Sequence, residues 1–237
     1  MVKAVIFDWG GTLTPWHDID LVSQWYAYAE VYDPEHASAL AHRLAEAEIA
    51  RWRVQRESRG AQSAGALEQI FLDEGIEITG VRHLRALGCY LDFWAPHTLA
   101  DRQARPLLTA LRAMGLRVGV LSNTMWPSAH HQEVFARDDL DDLIDAALYT
   151  SEMPVAKPHV EAFTAVADRL GVRPQDSVYV GDRLWDDIAG ASGAGMRTIH
   201  IPHSVIPSDQ VPDDSAVPDA VAHELGDVLA IVESWHT

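Results

Sequence analysis

Short apolar runs and amphipathic segments alternate along much of the chain. Apolar runs rich in β-branched residues predict buried strands at residues 2–7, 117–123, 145–150, 177–182 and 197–201. The helical spacing of apolar residues between these runs predicts helices at residues 102–114, 128–137, 159–170 and 186–194. Strands that alternate with helices favour βαβ units and a parallel sheet. We therefore expect an α/β fold with a doubly wound parallel sheet.

The segment from residue 15 to residue 96 departs from this alternation. Four stretches in it have helical periodicity and no strand pattern, at residues 21–32, 34–58, 64–75 and 81–95. Asp33 and Pro34 predict the start of the second helix, as its N-cap and a first-turn residue. We expect an all-helical cap at residues 15–96, inserted into an α/β core formed by residues 1–14 and 97–237.

The last part of the chain combines a polar segment with a further helical pattern. Residues 202–219 are rich in Pro, Ser and Asp and predict a surface loop. The following apolar spacing predicts a last helix from Ala220 to Trp235.

Composition and charge exclude several classes of protein. Hydrophobic residues make up 48% of the 237 residues, which is enough for a sizeable core. The formal net charge of -17 repels DNA and RNA. No apolar stretch reaches the roughly 18 residues of a membrane span, and the single cysteine cannot form an intramolecular disulfide. We expect a cytoplasmic protein without a nucleic-acid or membrane partner.

Residues that carry chemistry follow the predicted strands. They are Asp8, Ser122, Lys157 and Asp182, the last with Asp186 and Asp187 nearby. Each has an ordinary explanation, because Asp is common in turns, Ser caps helices and acidic residues favour helix starts. However, ligands of open α/β sheets bind at the carboxyl ends of the strands, where these residues would lie together. Lys157 also stands out because the chain has only two lysines.

With these motifs, FDWGGTLT at 7–14, VLSNT at 120–124, VAKP at 155–158 and VGDRLWDD at 180–187, the chain resembles the haloacid dehalogenase-like hydrolase superfamily. Most members of that superfamily are phosphatases. The resemblance covers residues 2–14 and about 106–201, whereas the predicted cap is similar only in architecture. It points to the helical-cap branch, which includes phosphoglycolate phosphatase-like and haloacid dehalogenase-like enzymes.

The resemblance implies a role for each motif residue. Asp8 would attack phosphorus and form an aspartyl-phosphate, with Ser122 and Lys157 as the other catalytic residues. A Mg²⁺ cofactor would be held by oxygen ligands from Asp8, the Gly10 carbonyl, Asp182 and Asp187, with Asp187 favoured over Asp186. Substrate-binding contacts would come from Thr12, the backbone N–H of Asn123, and Trp9. The implied substrate is a small phosphorylated metabolite, and a homodimer is kept as an assembly hypothesis.

Position 10 departs from the pattern of the phosphatases in this superfamily. They usually carry a second Asp there, which protonates the leaving oxygen, whereas this chain has Gly10. Three alternatives stay open. The first is a phosphatase whose proton comes from another group, such as His17, Asp18 or Asp20, or whose leaving group needs none. The second is a non-phosphatase hydrolase of the dehalogenase type, against which the intact acidic motif argues. The third is a protein that binds phosphate or a partner without turnover.

Two further groups of residues have both a packing and a functional interpretation. Trp9, Trp16, Trp126 and Trp185 adjoin the motifs or the hinge to the predicted cap, so they either wall a pocket or pack the seam. A basic run in the second cap helix either forms a solvated face or clamps an anionic substrate. Its arginines are Arg43, Arg51, Arg53, Arg56 and Arg59, and on a solvated face they would pair with Glu46, Glu48 and Glu57.

Overall fold

A parallel β-sheet forms the centre of the protein. A computed structural model describes residues 1–202 and 215–236, so most of the loop predicted at 202–219 lies outside the described residues. Within them the strands are β1 Ala4–Phe7, β2 Arg117–Ser122, β3 Ala146–Tyr149, β4 Ser177–Gly181, β5 Arg197–His200 and β6 Ala220–Val221. The described helices are α1 Leu21–Tyr32, α2 Ala37–Glu57, α3 Leu67–Asp73, α4 Val81–Trp94, α5 Ala104–Ala113, α6 Ser128–Arg137, α7 Val160–Leu170, α8 Gly190–Gly193 and α9 Asp227–His236. None of these helices is long and apolar enough to span a bilayer.

The order of the strands confirms the doubly wound sheet. The order is β3-β2-β1-β4-β5-β6, and every pair is parallel. The central strand β1 lies between β2 and β4, so that Val5 is opposite both Val118 and Val178. The chain first extends the sheet on one side of β1 and then on the other. The boundary between β1 and β4 is therefore the switch point at which such sheets bind ligands.

Side chains of alternate residues along the strands pack on opposite faces of the sheet. Val5 and Phe7 face a core built with α5, α6 and α9. Ala4 and Ile6 face a second core built with α7 and α8. Because both faces of the sheet are covered by helices, the central strand β1 is apolar along its whole length, as the sequence pattern predicted.

Four helices, α1 to α4, form a helical insert between β1 and α5. Helix α1 packs against α2 and α4, and α2 packs against α3. The centre of the insert is aromatic. The Trp25 ring lies 5.6 Å from Phe71 and 4.8 Å from Tyr90, while Tyr28 stacks on Phe71 at 4.8 Å. The predicted helical content of this segment is therefore confirmed.

Two helix starts predicted from the sequence are wrong. Helix α2 begins at Ala37, because Asp33 ends α1 by donating its backbone N–H to Ala29 O. The last helix begins at Asp227, because Ala220 and Val221 extend the sheet beside β5 instead of coiling. In the second case the pairing with β5 uses backbone groups that a helix would have needed.

Candidate active site

Four charged side chains converge at the β1–β4 switch point. Asp8 directly follows β1, and Asp182 directly follows β4. Lys157 comes from the loop between β3 and α7, and Asp187 comes from a π-helical turn, Leu184–Ala189, that precedes α8. All four side chains are buried. The structure thus brings together three of the sequence motifs that lie far apart along the chain.

Lys157 is the link between two of the carboxylates. Its Nζ donates to Asp8 Oδ1 at 2.6 Å and to Asp187 Oδ1 at 2.6 Å. A third contact, at 3.2 Å, reaches the hydroxyl of Tyr179, which itself donates to Leu121 O at 3.0 Å. Tyr179 was not predicted as a site residue, although its hydroxyl in the mostly apolar strand SVYVG was a signal for it.

The loop after β4 is held in place by its own backbone and by β5. Asp187 Oδ2 accepts a hydrogen bond from the backbone N–H of Arg183 at 3.0 Å. A Cβ at position 181 would lie 2.4 Å from Asp187 Cγ, so only glycine lets this side chain fold back over the strand end. His200 Nε2, at the end of β5, lies 3.0 Å from Asp182 O. His200 was also not identified from the sequence.

Burial dominates the electrostatics of this site. Burial raises the pKa of Asp8 to about 7, against the lowering effect of Lys157 and with a further rise from Asp187 and Asp182. Burial also raises the pKa of Asp186 to about 6. Burial alone would lower the pKa of Lys157, but the carboxylates of Asp187 and Asp8 raise it well above its ordinary value. Lys157 is therefore an ammonium at neutral pH.

The residues present fit a hard divalent cation. One carboxylate oxygen from each of Asp8, Asp182 and Asp187 lies within 4.8 Å of the others. With all three carboxylates ionised and Lys157 an ammonium, these four side chains carry two negative charges, which a divalent cation would neutralise. An all-oxygen donor set suits Mg²⁺. Within the described part of the chain, no other group of three or more such side chains has this geometry.

The remaining predicted site residues lie around this cluster. Ser122 ends β2 and is buried, and Thr12 is buried in the loop after β1. The buried Thr12 Oγ1 atom has no hydrogen-bond partner among the described residues. The side chain of Asn123 accepts from Lys157 N at 3.0 Å and donates to Lys157 O at 3.2 Å, whereas the predicted phosphate contact of Asn123 concerns its backbone N–H. The Asn123 side chain therefore holds the loop that carries Lys157.

The loop after β1 is a tight turn that leaves room at position 10. The backbone N–H groups of Thr12, Leu13 and Thr14 all donate to Trp9 O. No described heavy atom lies within 4 Å of the position that a Cβ on Gly10 would take. A side chain at position 10 therefore has space beside Asp8.

The tryptophans near the motifs are packed against other side chains. Trp9 contacts the ring of His131 at 4.7 Å and the ring of Trp126 at 5.8 Å. Trp16 lies under the guanidinium of Arg183 at 4.7 Å. Trp9 and Trp126 are both less than a tenth exposed. These contacts favour the interpretation that the tryptophans pack the seam between the sheet and the insert.

The three suggested proton donors lie at the start of the insert, and two of them have other partners. Asp20 Oδ2 accepts from Ser23 N at 2.9 Å and from Ser23 Oγ at 2.6 Å, which makes Asp20 the N-cap of α1. His17 Nδ1 lies 2.6 Å from His97 Nδ1, at the other crossing between sheet and insert. Asp18 is exposed.

The basic run in α2 is partly a solvated face. Arg43 pairs with Glu74 at 3.0 Å, and Arg51 pairs with Asp73. The predicted place of Glu48 on that face is wrong, because its side chain is buried inside the insert. Glu48 Oε2 accepts from Gln24 Nε2 and Trp25 Nε1, both at 2.7 Å, and Glu48 Oε1 accepts from Trp52 Nε1 at 3.2 Å.

A family model and several named proteins match this chain. Residues 2–195 match the family model of haloacid dehalogenase-like hydrolases. Over 127 residues the chain is 33% identical to a glyceraldehyde 3-phosphate phosphatase of Methanopyrus kandleri, covering 54% of each protein. Over 130 residues it is 26% identical to the phosphoglycolate phosphatase of Escherichia coli K12, covering 55% of this chain and 50% of the relative. The chain spans about half the length of the curated relatives it matches.

One solved structure has a similar fold over nearly the whole chain. It is a HAD phosphatase from Thermococcus onnurineus, with a TM-score of 0.69, 20% identity and 98% coverage of both chains. At this identity the likeness concerns the fold.

Proposed function

The chain belongs to the haloacid dehalogenase-like hydrolases, and on that premise we propose that it is a Mg²⁺-dependent phosphatase of a small phosphorylated metabolite. The observation that carries the proposal is the buried cluster of Asp8, Asp182 and Asp187 with Lys157 between two of them. Phosphatase names among the partial relatives support the same reaction. A cytoplasmic location and a homodimer stay predictions.

Asp8 is the nucleophile in the proposed reaction. Its carboxylate attacks phosphorus, the bond from phosphorus to the leaving oxygen breaks, and the leaving oxygen takes up a proton. Water then cleaves the aspartyl-phosphate, which releases phosphate and restores Asp8. Lys157 holds the Asp8 carboxylate in place through its 2.6 Å hydrogen bond and offsets negative charge at the transferring group. Ser122 and Thr12 would donate to phosphate oxygens.

The metal site is part of the proposal. Asp8, Asp182 and Asp187 would hold Mg²⁺, together with the backbone carbonyl of Gly10. Bound there, the ion would offset the repulsion between a carboxylate nucleophile and a phosphate dianion. The pKa of Asp8, which burial raises to about 7, also favours this assignment. A nearby cation would favour the ionised carboxylate that nucleophilic attack requires.

The helical insert is proposed to act as the cap that selects the substrate. We assign the cap to residues 15–96 and the catalytic core to residues 1–14 and 97–237. The cap helices would close over the carboxyl ends of the strands and exclude water from the aspartyl-phosphate.

Hydrolysis of p-nitrophenyl phosphate, with and without Mg²⁺, tests the proposal directly. We expect turnover that requires Mg²⁺ and that falls by about 10³-fold or more in Asp8→Asn, which keeps the shape of the side chain without a competent nucleophile. Thermal unfolding of the variant checks that it is folded. Full activity in Asp8→Asn, or turnover indifferent to chelation of metal, would contradict the proposal. Phosphoglycolate and glyceraldehyde 3-phosphate are the first metabolites to compare.

Gly10→Asp tests whether the missing proton donor limits the rate. A Cβ at position 10 would have no described heavy atom within 4 Å, so the substitution starts without a backbone clash. We expect the rate to rise by about 10² to 10⁴, which is the usual contribution of general acid–base help. Gly10→Asn is the matched control, since it has the same size but cannot transfer the proton. A fall or no change in Gly10→Asp would instead favour hydrolysis of a different kind or binding without turnover.

A further inference from the structure

We propose that the α2–α3 loop of the insert positions Lys157, so that docking of the insert and assembly of the catalytic site are coupled. We call residues 58–66 the docking loop. The inference rests on the proposed function, because it concerns the lysine that holds the Asp8 carboxylate. It adds a positioning role for a loop that the sequence motifs do not include.

The docking loop makes backbone hydrogen bonds to the segment that carries Lys157. Ala156 N donates to Gly60 O at 2.8 Å, and Ser63 N donates to Pro154 O at 3.1 Å. These two bonds hold the chain immediately before Lys157. The backbone of Lys157 itself is held from the other side by the Asn123 side chain. The lysine-bearing segment is therefore clamped between the insert and the end of β2.

The approach of the docking loop is so close that it requires glycine. Arg59 and Gly60 both have left-handed backbone angles, with φ of 53° and 76°. A Cβ at position 60 would lie 2.2 Å from Ala156 O and 3.0 Å from His159 N. Ala156 O already accepts the His159 N–H at 2.8 Å. A side chain at position 60 would thus displace the turn that contains Lys157.

The same loop also contacts the segment that carries Asp187. The Arg59 guanidinium lies 5.5 Å from the ring centre of Trp185, in the π-helical turn. The docking loop therefore touches both segments that set the distance between Lys157 Nζ and Asp187 Oδ1. Because Nζ holds both carboxylates at 2.6 Å, a displacement of about 1 Å is enough to break this arrangement.

Gly60→Ala tests the coupling, and Gly75→Ala is its matched control. Gly75 lies in the next loop of the insert with a φ of 70°, and no described atom lies within 4 Å of its Cβ position. Both substitutions strain the backbone equally, but only the one at position 60 disturbs the contact. Since misplacement by about 1 Å can cost 10²-fold, we expect kcat to fall by roughly 10- to 100-fold in Gly60→Ala. In Gly75→Ala we expect a change of less than about threefold.

A second readout does not depend on turnover. Hydrogen–deuterium exchange of a peptide covering residues 155–157 reports the Ala156 amide that Gly60 O protects. We expect faster exchange there in Gly60→Ala than in the wild type or in Gly75→Ala. Ser63→Pro deletes the other docking bond without adding bulk at position 60, and it replaces Gly60→Ala if that variant does not fold.

The outcomes separate this inference from the proposed function. Unchanged exchange at residues 155–157 in both Gly60→Ala and Ser63→Pro would overturn the inference even in an active enzyme. Faster exchange with unchanged kcat would overturn the coupling to Lys157. If the wild type lacks turnover but exchange still responds at position 60, the proposed function fails while the docking contact stands.

Discussion

Two buried carboxylate centres lie in different parts of this protein and are stabilised in different ways. At the sheet edge, Asp8 shares the ammonium of Lys157 with Asp187. Inside the insert, Glu48 accepts hydrogen bonds from three neutral N–H groups, those of Gln24, Trp25 and Trp52. Burial raises the pKa of both Asp8 and Glu48. Burial of an acidic group therefore does not by itself distinguish a reactive site from a structural one.

The balance of charge makes the distinction. The sheet-edge cluster has more carboxylates than ammonium groups, so it holds excess negative charge that a cation can neutralise. Glu48 is a single carboxyl whose oxygens are matched by neutral donors, so it needs no cation and can be protonated without losing its position. We infer that the first centre serves chemistry and that the second serves the packing of the insert.

The largest effect that would sharpen this comparison is expected from Lys157→Met. Methionine keeps most of the volume but leaves two buried carboxylates without their countercharge. We expect kcat to fall by about 10²- to 10³-fold and the free energy of unfolding to fall by about 3–5 kcal/mol. Enzyme assays and urea unfolding measure the two effects, and Mg²⁺ should restore part of the stability. Equal activity in the variant would remove Lys157 from the mechanism.

The other lysine of the chain provides the matched control. Lys3 pairs with Asp176 at 3.1 Å, but its side chain is 59% exposed. Lys3→Met should therefore leave kcat unchanged and cost less than about 1 kcal/mol.

The next effect is the pH dependence of stability without metal. The pKa of Asp8 is about 7 in the folded state against an ordinary value of 3.8, so the folded protein retains a proton that the unfolded chain has lost. The retained proton adds to the free energy of unfolding by an amount on the order of 4 kcal/mol. This gain is fully present below about pH 4 and is lost as the pH rises through 7. Urea unfolding with EDTA from pH 4 to pH 8 measures it.

Mg²⁺ should separate the two centres in that experiment. The ion favours the ionised form of Asp8, so it reduces the contribution of Asp8 to the pH dependence of the free energy of unfolding. Asp8→Asn removes that contribution altogether. The contribution of Glu48 has the same sign, because its pKa is also raised, but it should not respond to Mg²⁺. If the free energy of unfolding depends on pH identically with and without Mg²⁺, the two carboxylate centres do not differ in their response to a cation.

A smaller effect is expected from Glu48→Gln in the insert. The amide keeps one acceptor oxygen but turns an N–H group towards one of the three donors. We expect a loss of about 1–3 kcal/mol in the free energy of unfolding and a kcat within twofold of the wild type. Denaturant unfolding and steady-state kinetics provide the two measurements. A large loss of kcat in a stably folded variant would mean that Glu48 acts on the site.

The smallest effect is expected from Asp20→Asn. Asp20 is an exposed carboxylate that caps α1, and Asn caps helices about as well as Asp. We therefore expect neither kcat nor thermal stability to change. A loss of kcat with unchanged stability would instead identify Asp20 as the proton donor that position 10 lacks.

Several contacts and one helix boundary could not be predicted from the sequence. Asn123 was expected to contact phosphate through its backbone N–H, and the sequence did not indicate that its amide side chain pairs with the backbone of Lys157. Glu48 was expected on a solvated face because its helical position allows i to i+4 pairing with arginines. Its actual partners come from α1 and from Trp52, so burial between helices decided its environment. The start of α2 was misplaced because Asp33 can end one helix as well as begin another.

Sequence alone determined the order of the elements from β1 to β5 and the edge of the sheet where the chemistry lies. This succeeded because buried parallel strands are continuous apolar runs, and because their carboxyl ends all meet at one edge. Only the tertiary structure decided that Lys157 stands between Asp8 and Asp187, which lie 149 and 30 residues from it along the chain. It also decided that Gly60 meets the backbone before Lys157. Such contacts depend on how separate elements pack, and no local periodicity in the chain encodes that packing.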